Sequence, residues 1–271
     1  MENYISENGF NYKSVGDGQP LVILHGLMGG LSNFEGLFDF FPKHGYAVIA
    51  PELPVYNSTL INTNVKCFAK YVKKFIDHKN LKNIVLIGNS LGGHVGLIFS
   101  KLYPKLVKGL VLTGSSGLYE NSMGDSYPKR EDYNFIKKKT QEVFYSPKIA
   151  TKEIVDEIFE TVNDRKKLIK ILAMAKSAIR HNMSSDLPKI INETAIIWGK
   201  NDTVTPPNAG VEFNNLMPNS ELFWIDKCGH APMMEHPHKF NKILIDWLKS
   251  CLLYTSPSPR DLSTSRMPSS A

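Results

Sequence analysis

The sequence predicts a three-layer α/β domain, a mostly parallel sheet covered on both faces by helices. Two observations carry this. Short apolar runs at residues 20–24, 46–50, 83–87, 110–112 and 195–198 are rich in Val, Ile and Leu. They lack polar alternation, as strands buried on both faces do. Between them lie segments of helical period: Val65, Phe68, Val72, Phe75 and Ile76, and later Phe240, Ile243, Leu244 and Trp247. Each set forms a stripe along one side of a helix. Strand and helix in alternation build a parallel sheet, because parallel neighbours need a crossover connection.

The alternation breaks between residues 117 and 189. Here only helical periods occur: Val155, Ile158, Phe159 and Val162, then Leu168, Ile171, Leu172 and Ala175. A helical insertion between two strands of such a sheet reads as a cap over the site. The expected division is therefore a core of residues 1–116 and 190–250 with a cap at 117–189. With 271 residues the chain is long enough for one large domain carrying an insertion.

Residues 251–271 differ from the rest. Ser and Pro dominate and no period survives, the composition of a disordered tail. The segment also resembles the conceptual translation of a transposase-type sequencing adapter, in which TGT CTC TTA TAC ACA TCT encodes residues 251–256. The expectation is a non-native tail, with the natural chain altered beyond Ser250, and it is set aside from functional reasoning.

The charge balance bounds the partners. The net charge is +6, but the basic clusters, such as Lys137 to Lys139 and Arg165 to Lys167, have acids nearby. They read as solvated helix faces, so nucleic acid is not an expected partner. Cys67, Cys228 and Cys251 show neither paired nor metal-type spacing, which predicts no disulfide framework and no metal. The first residues lack a basic start and an apolar core, and no apolar run reaches the ~18 residues that span a bilayer. A cytoplasmic protein without membrane insertion is expected.

The chemistry starts at Gly88-Asn89-Ser90-Leu91-Gly92-Gly93. Gly-x-Ser-x-Gly alone is weak, but between an apolar strand and a helical segment it reads as a nucleophile elbow. Such a turn strains the serine backbone, and a side chain at Gly88 or Gly92 would collide with the neighbouring strand or helix. The elbow places the Ser90 hydroxyl beside a helix N-terminus, which favours developing negative charge. The strand at 20–24 runs into His25-Gly26-Leu27-Met28-Gly29-Gly30. His25 reads as structural, holding this loop by hydrogen bonds. The strand at 195–198 ends in Gly199-Lys200-Asn201-Asp202, and that at 221–225 in Asp226-Lys227-Cys228-Gly229-His230. An Asp beyond the C-terminal end of a parallel strand is well placed for a site. Asp202 is the expected acid of a triad with Ser90 and His230, and Asp226 is a weaker rival.

The order Ser90, Asp202, His230, each at the end of a strand, resembles that of the α/β-hydrolase family over about residues 9–247. The resemblance implies an eight-stranded sheet with the cap inserted after the sixth strand. It also implies an oxyanion hole from the backbone N–H groups of Leu27 and Leu91, and no cofactor. Gly-Asn-Ser-Leu-Gly-Gly with Cys-Gly-His is similar to the branch holding small carboxylesterases and meta-cleavage-product C–C hydrolases. In those C–C hydrolases Trp usually follows the histidine, whereas Ala231 stands here. Ser90 separates the chain from haloalkane dehalogenases and soluble epoxide hydrolases, which use Asp. The expectation is hydrolysis of a small carboxylic ester or lactone through an acyl-enzyme, with C–C cleavage and non-catalytic ligand binding as alternatives. Of the remaining histidines, His94 reads as a packed helix residue, and His236 and His238 as surface residues. Arg180 and His181 face either the cleft or solvent. Cys228 reads as buried and inert.

Overall fold

A computed structural model describes residues 4–119 and 129–253, without the side chains of 251–253. The strands are β1 (Tyr4–Glu7), β2 (Phe10–Val15), β3 (Gln19–Leu24), β4 (Tyr46–Pro51), β5 (Ile84–Asn89), β6 (Val107–Thr113), β7 (Glu193–Gly199) and β8 (Ser220–Ile225). They form one sheet in the order β1-β2-β4-β3-β5-β6-β7-β8. The pairs β1–β2 and β2–β4 are antiparallel and the rest are parallel.

Each parallel strand sends alternate residues to opposite cores. Val22 and Leu24 of β3, Leu86 of β5 and Trp198 of β7 belong to one apolar cluster. Leu21 and Ile23, Val85 and Ile87, and Ile197 belong to the other. Both faces are apolar because both are covered, so these strands read as unbroken apolar runs. On the first face lie α2 (Val65–His78), α3 (Leu91–Leu102) and α7 (Pro207–Leu216), which contribute Phe68, Phe75, Val95, Phe99 and Phe213. On the second lie α1 (Glu35–Phe40) and α9 (Pro237–Leu253), which contribute Leu37, Phe38, Phe240, Leu244 and Trp247. The start of α2 is set by Asn64, whose side chain accepts from Cys67 N at 2.9 Å. Between α7 and α9, the short helix α8 (Pro232–Glu235) follows the loop after β8.

Between β6 and β7 the described residues form α4 (Tyr133–Glu142), α5 (Lys152–Asn163) and α6 (Arg165–Arg180). Asp132, Thr151 and Asp164 cap their N-termini. Met174 and Ala178 of α6 join the first core. One position differs from its periodic assignment: Leu172 is 42% exposed, and the buried stripe runs through Ile171, Met174, Ala175 and Ala178. At 100° per residue, Leu172 falls between the buried stripe and solvent, and the helix rotation is set by its neighbours. The helix α9 continues through residues 251–253, and the rest of the serine- and proline-rich segment lies outside the described residues. None of the described helices is long and apolar enough to cross a membrane.

Candidate active site

The chain leaves β5 at Asn89 and enters α3 at Leu91, so Ser90 alone makes the turn. Its φ of 53° and ψ of −119° lie where a residue with a Cβ costs about 1–3 kcal/mol. The surroundings enforce this conformation. A Cβ on Gly92 would lie 1.9 Å from the Leu24 carbonyl oxygen of β3, and one on Gly88 would lie 2.5 Å from Gly93. Ser90 N donates to Thr113 O at 3.1 Å, and the Ser90 carbonyl accepts from His94 N and Ser116 N at 3.2 Å each. Ser90 heads α3, and the N–H groups of the first helical turn, Leu91 included, have no acceptor within the helix.

The loop after β3 closes on the elbow, since a Cβ on Gly26 would lie 3.5 Å from Ser90 Cβ. His25 holds this loop. Its Nδ1 donates to Gly26 O at 2.8 Å and its Nε2 accepts from Leu53 N at 2.9 Å. Both ring nitrogens are thereby engaged in the neutral form, and burial pushes the imidazole below its ordinary range.

Asp202 and His230 meet across the loops after β7 and β8. Asp202 Oδ2 lies 2.9 Å from His230 Nδ1, and the Asp202 side chain is fully buried. Its other oxygen accepts from Val204 N at 2.8 Å and Thr205 N at 3.0 Å. Asp226 stands apart, with its side chain 64% exposed and facing Lys200 at 3.8 Å. The His230 loop is anchored on three sides. His230 N donates to Val143 O at 2.9 Å, just after α4. Asn89 Nδ2 donates to His230 O at 3.1 Å and to Thr113 O at 3.0 Å, tying the elbow to the loop. Glu235 accepts from Gly229 N, Tyr145 N and Ser146 N.

The other singled-out residues find clear places. His94 is buried, and its Nε2 lies 3.0 Å from His181 Nδ1. Burial, reinforced by the neighbouring His181, pushes His94 down to about 3. His181 thus packs on α3. Arg180 is exposed. His236 is half-buried with Nε2 on Lys227 O at 2.9 Å, and His238 is exposed. Cys228 is buried, and burial followed by the Glu235 and Asp202 charges pushes its thiol well up. Thr205 and Glu235 belong to no motif. Their only sequence signals are a hydroxyl three residues after Asp202 and an acid five residues after His230.

A cavity of about 290 Å³ opens between the loop after β3 and α5. Leu27 and Met28 after β3, Glu52 after β4, and Glu157, Ile158 and Thr161 of α5 are among the residues that line it.

A strained serine between strand and helix, with a buried Asp–His pair on two later strand ends, defines a class. Residues 19–163 match the α/β hydrolase fold family, and the chain belongs to it; it is a hydrolase of that fold. Among solved structures it is similar to MGS-MChE2, an alpha/beta hydrolase enzyme from the metagenome of sediments of the lagoon of Mar Chica, Morocco. The two are 50% identical over 92% of this chain and 99% of that one, with a TM-score of 0.77. Among characterised sequences it is similar to a 2-hydroxy-6-oxononadienedioate/2-hydroxy-6-oxononatrienedioate hydrolase of a Pseudomonas species. That relative is 28% identical, over 86% of this chain and 89% of that protein. A 2-hydroxy-6-oxo-6-phenylhexa-2,4-dienoate hydrolase of Burkholderia cepacia is 25% identical, over 91% of this chain and 93% of that protein.

Proposed function

We propose that the protein is a serine hydrolase that cleaves small carboxylic esters or lactones through an acyl-enzyme. The observation that carries this reading is the buried Asp202–His230 hydrogen bond of 2.9 Å beside the strained Ser90 turn. Ser90 attacks the carbonyl carbon while His230 takes the hydroxyl proton. Asp202 holds the imidazole with Nδ1 protonated and stabilises the imidazolium. The tetrahedral oxyanion rests on the N–H groups of Leu27 and Leu91, at the start of α3, where the helix dipole also favours it. His230 returns the proton to the leaving alcohol, then activates the water that hydrolyses the acyl-enzyme. Residues 117–189 act as a cap over a core of 1–116 and 190–250, and they shape the substrate pocket.

A second reading, cleavage of a C–C bond in a ring-fission product, is favoured by the names of the relatives above. Those names describe carboxylates. The cavity beside the Leu27 loop carries Glu52 and Glu157 but has neither Ser90 nor His230 in its lining, so its charge does not decide between the two readings. Ala231, where Trp usually stands in those enzymes, supports the ester reading.

The test is a panel of p-nitrophenyl esters run beside a ring-cleavage dienoate, with Ser90→Ala as the blank. The expected outcome is ester turnover at least ~10²-fold above dienoate turnover, falling by ~10³-fold or more in Ser90→Ala. Preferred cleavage of the dienoate would establish the second reading, and retained turnover in Ser90→Ala would refute the triad.

A further inference from the structure

Between β7 and α7 the chain makes a tight turn through Asp202, Thr203, Val204 and Thr205. Asp202 Oδ1 organises it by accepting the N–H groups two and three residues ahead, an Asx-type arrangement. That leaves Oδ2 for the rest of the site, and it carries two partners. His230 Nδ1 lies 2.9 Å away, and Thr205 Oγ1 donates to the same oxygen at 2.8 Å. Thr205 Oγ1 is 3.3 Å from His230 Nδ1, so hydroxyl and imidazole stand side by side on one oxygen. Thr205 is fully buried. Its carbonyl accepts from the indole N–H of Trp198 at 3.1 Å, so the main chain carrying the hydroxyl is fixed from the sheet side as well.

Building on the triad reading, we propose that Thr205 is a positioning residue for the reaction. Its hydroxyl holds the Asp202 carboxylate in the rotation that presents Oδ2 to His230, and it takes up part of that oxygen's charge. No bond to Thr205 forms or breaks; the moving proton passes from Ser90 to His230 and on to the leaving group.

The two effects are separable. Holding the carboxylate favours the productive imidazole orientation, which acts on kcat. Sharing Oδ2 weakens the carboxylate's pull on the imidazolium, so removing the hydroxyl makes the protonated ring more stable. The acid limb of the pH profile then moves to higher pH. The other groups around the His230 ring stay as they are. Among the described residues these are Cys228 and Glu235 near its own loop, Asn89 on the His230 carbonyl, and the backbone of Gly114 after β6. The Glu235 carboxylate is taken up by three N–H groups.

The experiment compares the full-length protein with Thr205→Val and Thr205→Ser. Ester kcat and KM are recorded across pH, and the His230 ring resonances are titrated by NMR without substrate. In Thr205→Val, plateau kcat is expected to fall about 10-fold, the size of one lost hydrogen bond to a charged group, with KM unchanged. The acid limb and the NMR midpoint are expected to rise by about half to one pH unit. Thr205→Ser is expected to restore both to near wild type. An unmoved midpoint in Thr205→Val would overturn the proposal. So would a Thr205→Ser protein that behaves like Thr205→Val, because methyl packing would then be the cause. Thr205→Ala stands in where valine is not accommodated. Retained ester turnover in Ser90→Ala overturns the triad reading instead, and the NMR midpoint then decides Thr205 by itself.

Discussion

Ser90 and the Asp202–His230 pair lie at the ends of strands in one sheet, yet they are held by different means. The elbow is fixed by backbone packing. Gly88, Gly92 and Gly93 leave no room for a Cβ, and the Ser90 φ of 53° follows from that crowding. The acid and base are fixed by side chains from scattered positions. Asn89 reaches over from the elbow, Thr205 from the end of the Asp202 turn and Glu235 from α8, while the carbonyl of Val143 comes from the insertion. One half of the site is rigid because atoms cannot go elsewhere, and the other because polar groups must find partners. Changes to the first should break the fold, and changes to the second should retune the chemistry.

The largest effect is expected for Gly92→Ala. Its Cβ would sit 1.9 Å from a strand carbonyl that cannot yield, which predicts a loss of about 3 kcal/mol or more. Gly30→Ala, whose nearest neighbour would be 3.5 Å away, is the control. Urea unfolding midpoints that matched between the two would show that the elbow is not sterically fixed. A middle-sized effect is expected for Glu235→Ala, which strips three N–H groups of their acceptor. Here kcat is expected to fall about tenfold with about 1–3 kcal/mol lost in stability. Unchanged kcat would mean that the base loop holds its place without the Glu235 bridge.

The smallest effect concerns His94. The folded protein holds this imidazole at about 3, below its usual 6.5. The unfolded chain therefore binds a proton that the folded chain refuses, and stability drops as pH falls from 6.5 towards 3. In His94→Gln the fall in Tm between pH 7 and 4 is expected to be shallower by a few degrees. Parallel Tm curves would show that the pair with His181 bears no proton penalty.

The same contrast explains what the sequence disclosed. The parallel strands were legible because burial on both faces leaves an apolar run, and the elbow because glycine is the only residue that fits. The β1–β2 hairpin went unread, although Asn8-Gly9, with φ of 48° and 80°, is a pair suited to a two-residue turn. The sequence ranked Asp202 above Asp226, and in three dimensions the first is buried on His230 while the second is exposed. His181 was ambiguous because its partner His94 lies 87 residues away. Thr205 and Glu235 carried almost no signal, since a lone hydroxyl or acid near a site residue makes no period and no motif.

The bond from His230 N to Val143 O, with Glu235 bridging to Tyr145 and Ser146, has a consequence for protein engineering. Swapping the insertion for one from another hydrolase, to graft a new specificity, would also remove the bracket that seats the base. A seam that spares residues 143–146 keeps that bracket with the host. Chimaeras cut there are the ones in which a new pocket can be compared with the old on equal catalytic footing.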